Sequence, residues 1–356
     1  MFISTLSRRH RLLLLPAALL ASSLVLFPAP RAGAAPASNS SPAQAEAAAQ
    51  TEPDSADAAI LERAQEALDR QDYRSAVDLL TPLANRKNGE AAFVLGRLTQ
   101  AGKGTRQSKT RAVQYFKLAA EQGDIRGQNA YGVALAMGDG VRRNFQQASR
   151  WFARAAEQGD AEAQFNLGWL YAQGRGVKQD EQKAIDWYTR AANQGMAEAQ
   201  FSLGWLYMNS KENHQDDTKA VHWLEKAAEQ DLPKAQNNLA YMYAQGRGYA
   251  LDYAKALQWY QKAADQGYAE AQYNIGFMYE QGTGVPQDYA KAVEWYRKAA
   301  DNNESAAQYS LGLMYEQGTG VPISLTEAQK WYSLAAANGD KDAQKALRQL
   351  QRVKKK

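Results

Sequence analysis

The chain has 356 residues, a formal net charge of +4, 45% hydrophobic residues and no cysteine. That apolar fraction places it among globular proteins, and the missing cysteine excludes a disulfide framework, a thiolate-ligated metal and cysteine nucleophilic chemistry. The positive balance does not signal nucleic acid, because residues 1–34 hold four arginines and no acid, and without them 38 basic residues face 38 acidic ones.

The first predicted element is a targeting segment. Arg8, Arg9, His10 and Arg11 form a basic cap, Leu12 to Phe27 an apolar run interrupted by Pro16 and two serines, and Ala32-Gly33-Ala34 a small-residue end. This pattern reads as a secretory signal peptide, residues 1–34, cleaved before Ala35. The competing reading is an uncleaved anchor, for which the run is short and broken by proline. Ser7-Arg8-Arg9 resembles a twin-arginine signal, but Arg11 stands where that pattern takes an apolar residue, which favours general secretion. The expected location is the periplasm or outside the cell, with no stable membrane insertion after cleavage.

Residues 35–58, rich in Ala, Ser, Pro and Gln, have too little apolar surface to offset ordering entropy and read as a flexible linker. Residues 59–88 predict a helical hairpin similar to a tetratricopeptide unit. Ile60, Ala64, Ala67 and Leu68 mark its first stripe, and Ala76, Val77, Leu80 and Leu83 its second, after Asp72-Tyr73.

From Gly89 to Asp340 the chain repeats every 36 residues, seven times, without insertion or deletion. One alanine recurs from Ala112 to Ala328, an alanine pair from Ala119-Ala120 to Ala335-Ala336, and before each pair stand Tyr115-Phe116, Trp151-Phe152, Trp187-Tyr188, Trp223-Leu224, Trp259-Tyr260, Trp295-Tyr296 or Trp331-Tyr332. Each unit predicts two helices. In helix A, such as Ala161 to Gln173, Leu167 and Tyr171 share a face and Gly168 allows close approach of helix B. Gly174 and Gly176 supply a helix stop and a turn. Asp180, Asp216, Asp252 and Asp288 take the N-cap of helix B, with Lys183, Lys219, Lys255 and Lys291 three residues on. On helix B the spacing is expected to align Ala184, Trp187 and Ala191 along the inward stripe. One hairpin cannot bury its apolar face alone, so stability must come from stacking neighbours. Residues 341–356 predict a C-terminal capping helix, with Ala343, Ala346, Leu347 and Leu350 at helical spacing, followed by a basic tail.

The sequence Ala-x-Ala-Gln-x-x-Leu-Gly-x-x-Tyr, then Gly-x-Gly-Val, then Asp-x-x-Lys-Ala-x-x-Trp-Tyr-x-x-Ala-Ala-x-x-Gly, in phase over residues 89–340, resembles the Sel-1-like repeat family, relatives of tetratricopeptide repeats. The resemblance implies an all-α fold, a right-handed α/α superhelical solenoid of antiparallel helical hairpins that acts as an adaptor for protein complexes. Some relatives have been associated with β-lactam binding, but those rely on cysteine-stapled repeats, which this chain lacks. Repeat four departs most from the pattern, with Ser210 and Glu212 in place of both loop glycines and Asp231 in place of the glycine after helix B. Repeat five has Ala240 where the others have glycine, and repeat one has Thr99 where most have tyrosine.

No catalytic constellation emerges. After the signal only His214 and His222 remain, eight apart and without a third ligand at metal spacing, so no metal site and no cofactor is expected. The Gly-x-Gly loops lack the strand context and Lys-Ser/Thr ending of a phosphate cradle, and Asp216-Asp217 suits a helix start better than an acid–base pair. The chain is therefore expected to be no enzyme. The candidate binding surface lies on the A helices, which line the concave side in tetratricopeptide-like hairpins. One row runs Phe165, Phe201, Asn237, Tyr273, Tyr309, a second Trp169, Trp205, Tyr241, Phe277, Leu313, and beside them lie Asn166, Ser202, Asn238, Asn274 and Ser310. These aromatics either fill the seam between successive A helices or anchor a ligand. The candidate partner-binding residues are Trp169, Trp205, Tyr241, Phe277, Asn166, Asn238 and Asn274. The expected function is an exported non-catalytic scaffold binding a protein partner through the concave face. The alternative is a module for a cell-wall or capsular glycan, such as peptidoglycan or an exopolysaccharide.

Overall fold

A computed structural model describes residues 44–210 and 215–353, and everything described in it is α-helix, turn or loop. The signal segment, the Lys211 to His214 part of the repeat-four loop and the tail Lys354 to Lys356 lie outside the described residues. The chain divides into two compact units, 1–180 and 181–356.

The first unit contains α1 (Gln44–Asp69), α2 (Tyr73–Asn85), α3 (Gly89–Ala101), α4 (Lys109–Glu121), α5 (Ile125–Met137), α6 (Phe145–Glu157) and α7 (Ala161–Gln173). The second contains α8 (Glu181–Asn193), α9 (Ala197–Asn209), α10 (Asp217–Glu229), α11 (Pro233–Gln245), α12 (Tyr253–Asp265), α13 (Ala269–Gln281), α14 (Tyr289–Asp301), α15 (Ser305–Gln317), α16 (Leu325–Ala337) and α17 (Lys341–Val353). Within each unit every helix packs against the next, so each is a run of helical hairpins, with odd-numbered helices from α3 to α15 as A and their even-numbered successors as B. Helix α1 begins at Gln44, inside the stretch read as linker; an alanine-rich run has high helix propensity even without an apolar stripe. The first hairpin is α1–α2, with Ala64, Ala67, Leu80 and Leu83 buried, and α17 closes the other end by burying Ala343 and Leu350.

Close approach within a hairpin is set by glycine facing a bulky side chain. A Cβ on Gly132 would lie 2.6 Å from the Phe152 ring and one on Gly312 2.4 Å from that of Tyr332. Repeat five has Ala240 there, fully buried, with Tyr260 also buried. The second loop glycine does different work. Gly140, Gly248 and Gly320 adopt left-handed backbone and lie against the first turn of the preceding repeat's helix B, where a Cβ would sit 2.5–2.6 Å from the carbonyl oxygens of Lys109, Asp217 and Tyr289. Each loop thus seats one repeat on the one before it. In repeat four the helix ends on Ser210 in extended backbone rather than on a left-handed glycine, and the Ser210 hydroxyl donates to Glu181 of the preceding repeat. Asp231 and Asn303 occupy the glycine position after helix B with φ of 58° and 62°, in left-handed backbone that short polar side chains tolerate.

The aspartate caps form as the spacing requires. Asp216, Asp252 and Asp288 accept from the backbone N–H of Lys219, Lys255 and Lys291 at 2.9–3.0 Å, and each pairs with that lysine's ammonium. The backbone N–H bond holds the Asp216 and Asp288 carboxyls below the usual range. The lysines also lie 5.3 Å from the ring centroids of Tyr207, Tyr243 and Tyr279 on the A helices.

A buried amide ladder runs beneath these contacts. Gln236 is fully buried, donates to the Ala228 carbonyl of the preceding helix B at 3.2 Å and accepts from Gln266 Nε2 at 3.0 Å. Gln200, Gln272 and Gln308 repeat both bonds, with Gln230, Asn302 and Asn338 as the donors. In an apolar interior an amide is tolerated only when satisfied on both ends, so this ladder fixes how α9, α11, α13 and α15 each dock between two B helices.

Candidate functional site

The inward residue of each helix-B aromatic pair is the second one. Phe152, Tyr188, Leu224, Tyr260 and Tyr296 are buried to 4% exposure or less, whereas Trp151, Trp187, Trp259 and Trp295 are half-buried. The expected stripe through Trp187 is corrected to one through Tyr188, because i+4 lies closer to Ala184 around a helix than i+3 does. The displaced tryptophans are covered by the chain itself. A cation three residues on sits over each ring: Arg154 over Trp151 at 4.5 Å, Arg190 over Trp187 at 4.4 Å, Lys226 over Trp223 at 4.8 Å, Lys262 over Trp259 at 3.9 Å and Lys298 over Trp295 at 4.0 Å. In the last repeat Leu334 stands at that spacing, Trp331 is buried, and the cation near its ring is the adjacent Lys330 at 5.2 Å.

The A helices treat their aromatics differently. Phe165 and Phe201 are buried at 6% and 5%, Phe201 within the core that joins repeats four and five, but Tyr273 and Tyr309 of the same row are only half-buried. In the second row, Trp169, Trp205 and Tyr241 are half-buried and Phe277 is 36% exposed. Among the described residues no cation lies over Trp169, Trp205 or Phe277. Trp169 approaches Phe145 of the preceding repeat at 6.3 Å, and Trp205 and Tyr241 lean against the core of the second unit while keeping open surface.

The asparagines divide likewise. In the first unit Asn166 donates to Asn129 at 3.1 Å, and Asn129 donates to Glu162 at 2.9 Å. In the second, Asn274 donates to Asn237 at 2.9 Å. Asn238 is half-buried and its amide has no partner among the described residues. Of the candidate residues, Trp205, Tyr241, Phe277, Asn238 and Asn274 therefore belong to the second unit, and Trp169 and Asn166 to the first.

Two charged features escaped the sequence reading. Asp160 caps α7 by accepting from the Ala163 N–H at 2.7 Å, and burial pushes its carboxyl up to about 6 against that bond, with Glu162 adding to the rise. The equivalent Asp124 has Arg126 at 2.9 Å where Asp160 has Glu162. Lys234 stands where other A helices carry Glu162, Glu198 and Glu270, with its ammonium 4.5 Å from the Phe201 ring centroid. Burial lowers its pKa and Glu198 opposes that fall. The signal for both was present in the sequence as a charge out of step with its column of repeats.

Among the described residues no cluster of three or more metal-ligating side chains occurs, and no helix is long and apolar enough to cross a membrane. The family model described as Sel1 repeat matches residues 89–124, 125–160, 161–196, 197–232, 233–268, 269–304 and 305–340. A crystal structure of a protective antigen present in uropathogenic Escherichia coli strains, displaying an SLR fold, is 32% identical, with TM-score 0.72, over 87% of this chain and 67% of that one. The crystal structure of a Sel1 repeat protein from Oxalobacter formigenes is 31% identical, with TM-score 0.65, over 82% of this chain and 90% of that one. A search of curated proteins finds no match.

Proposed function

The chain belongs to the Sel1 repeat family, whose repeats commonly serve as protein-interaction scaffolds, and from that premise we propose that it is an exported, non-catalytic adaptor binding a protein partner on the A-helix face. One observation carries the reading: the B-helix tryptophans are capped by the chain's own cations, whereas Trp205, Tyr241 and Phe277 keep surface open beside the unpartnered amide of Asn238. Half-buried aromatics bordered by amide donors suit a protein segment, because interface energy concentrates in such anchors. Export is supported by the basic cap and apolar run of residues 8–27, and it suits a chain similar to a protective antigen.

The test is crosslinking in the native cells with wild type and a Trp169→Ala/Trp205→Ala variant whose helicity is unchanged by circular dichroism. The adaptor reading expects one or more protein adducts lost in the folded variant. Adducts that persist unchanged place binding elsewhere. Retention on purified sacculi, released by soluble glycan, would replace the protein partner with a cell-wall ligand.

A further inference from the structure

The second unit contains two neighbouring donors that the chain leaves without an acceptor, and they trace to two departures from the repeat, Phe201 and Lys234. In repeats two and three the A helices form a closed chain in which Asn166 donates to Asn129 and Asn129 to Glu162. In repeats five and six Asn274 donates to Asn237, and Glu270 accepts from the Tyr268 hydroxyl at 3.2 Å. Repeat five keeps the donor Asn238, but the position of repeat four that would accept from it holds Phe201 in place of asparagine. The residue in the glutamate column is Lys234, whose ammonium rests over that same phenylalanine ring. Among the described residues no carboxylate lies within ion-pair distance of Lys234 and no group bonds the Asn238 amide; Glu198 acts on the ammonium only at longer range.

Lys234, Asn238 and Tyr241 follow one another along α11 at i, i+4 and i+7, so they share a face, with Trp205 of α9 and Phe277 of α13 on the neighbouring A helices. We propose that Lys234 and Asn238 anchor an acidic side chain within an extended segment of the protein partner, the adjoining apolar residue of that segment seating against Trp205 and Tyr241. This rests on the adaptor reading above and names the chemistry of the ligand. Two donors without an acceptor call for an anion, and a half-buried ammonium gains more from one than an exposed ammonium does. Glu198, whose charge reaches Lys234, favours a single negative charge over a phosphate dianion, whose repulsion with it would be greater.

The experiment uses an array of end-capped peptides with a central Glu, Gln or Lys flanked by leucine or phenylalanine, probed with the full chain. A second arm has peptides with a free terminal carboxylate and no internal acid. The Glu peptides should retain about tenfold more protein than the Gln peptides, the range of one charge-assisted hydrogen bond. Lys234→Glu, with unchanged circular dichroism, should move the preference to the Lys peptides, and Asn238→Ala should weaken retention on Glu peptides severalfold. Equal retention on Glu and Gln peptides, an acid preference that survives Lys234→Glu, or binding only through a free terminus would overturn the proposal. Loss of cellular adducts in the Trp169→Ala/Trp205→Ala variant alongside such a result would leave the adaptor reading standing and reject only the acidic anchor.

Discussion

Two rows of aromatics, one on the A helices and one on the B helices, start from the same residue types and end in different states. On the B helices Trp187, Trp259 and Trp295 are followed at i+3 by Arg190, Lys262 and Lys298, and the cation occupies the ring face that solvent would otherwise reach. On the A helices Trp169, Trp205 and Tyr241 are followed by Ala172, Met208 and Ala244, so no cation of their own helix covers them at that spacing. The two rows are alike in being half-buried and differ in what lies over the ring, which the residue one turn later decides. A row left uncovered is available to a partner, whereas a covered row already has its ligand.

The largest way to break this contrast is to remove the frame that holds both rows. Gln236→Leu removes the buried bond to the Ala228 carbonyl and the acceptor of Gln266, and is expected to cost about 2–3 kcal/mol locally, seen as faster amide exchange in α10 to α12 with little change in α15 to α17. The next tests the charge balance beside the A-row. The Asp160 carboxyl rises to about 6 in the folded chain from an unfolded value near 3.8, so wild type loses stability as pH climbs between those values. Asp160→Asn keeps an N-cap acceptor and removes the titration. It should therefore stabilise the chain by about 2 kcal/mol at pH 7 and by nothing below pH 4, read from melting temperatures across that range.

Smaller effects sharpen the comparison. A double-mutant cycle on Trp259→Ala and Lys262→Ala should give a coupling of about 0.5–1 kcal/mol for the covered ring, while Trp205→Ala with Met208→Ala should show none of the salt sensitivity that a cation brings. Smallest is Phe277→Leu, the residue that repeat seven carries as Leu313. It keeps most of the buried apolar area and should shift stability by less than about 0.5 kcal/mol while reducing partner adducts, which separates a contact role from a packing role.

Much of this was legible in the sequence. The 36-residue phase placed the helices, the loop glycines and the aspartate caps, because each answers a local backbone need that a one-dimensional pattern records. The spacing aligns Trp187 inward whereas the structure turns Tyr188 there, since i+3 and i+4 differ by a rotation that a one-dimensional pattern blurs. The glutamine ladder went unseen because its bonds join Gln236 to Ala228 and Gln266, residues eight and thirty positions away. The openness of Asn238 depends on Phe201 in another repeat, a relation that appears only when helices are stacked.

The most direct test of the contrast is site-specific photo-crosslinking in the native cells, with a benzoylphenylalanine replacing Phe277 on the A row in one strain and Trp295 on the B row in another. An uncovered A row and a self-capped B row predict a protein adduct from position 277 and none from position 295. An adduct from 295 alone, or equal adducts from both, would contradict the claim that the A-helix face is where this protein meets its partner.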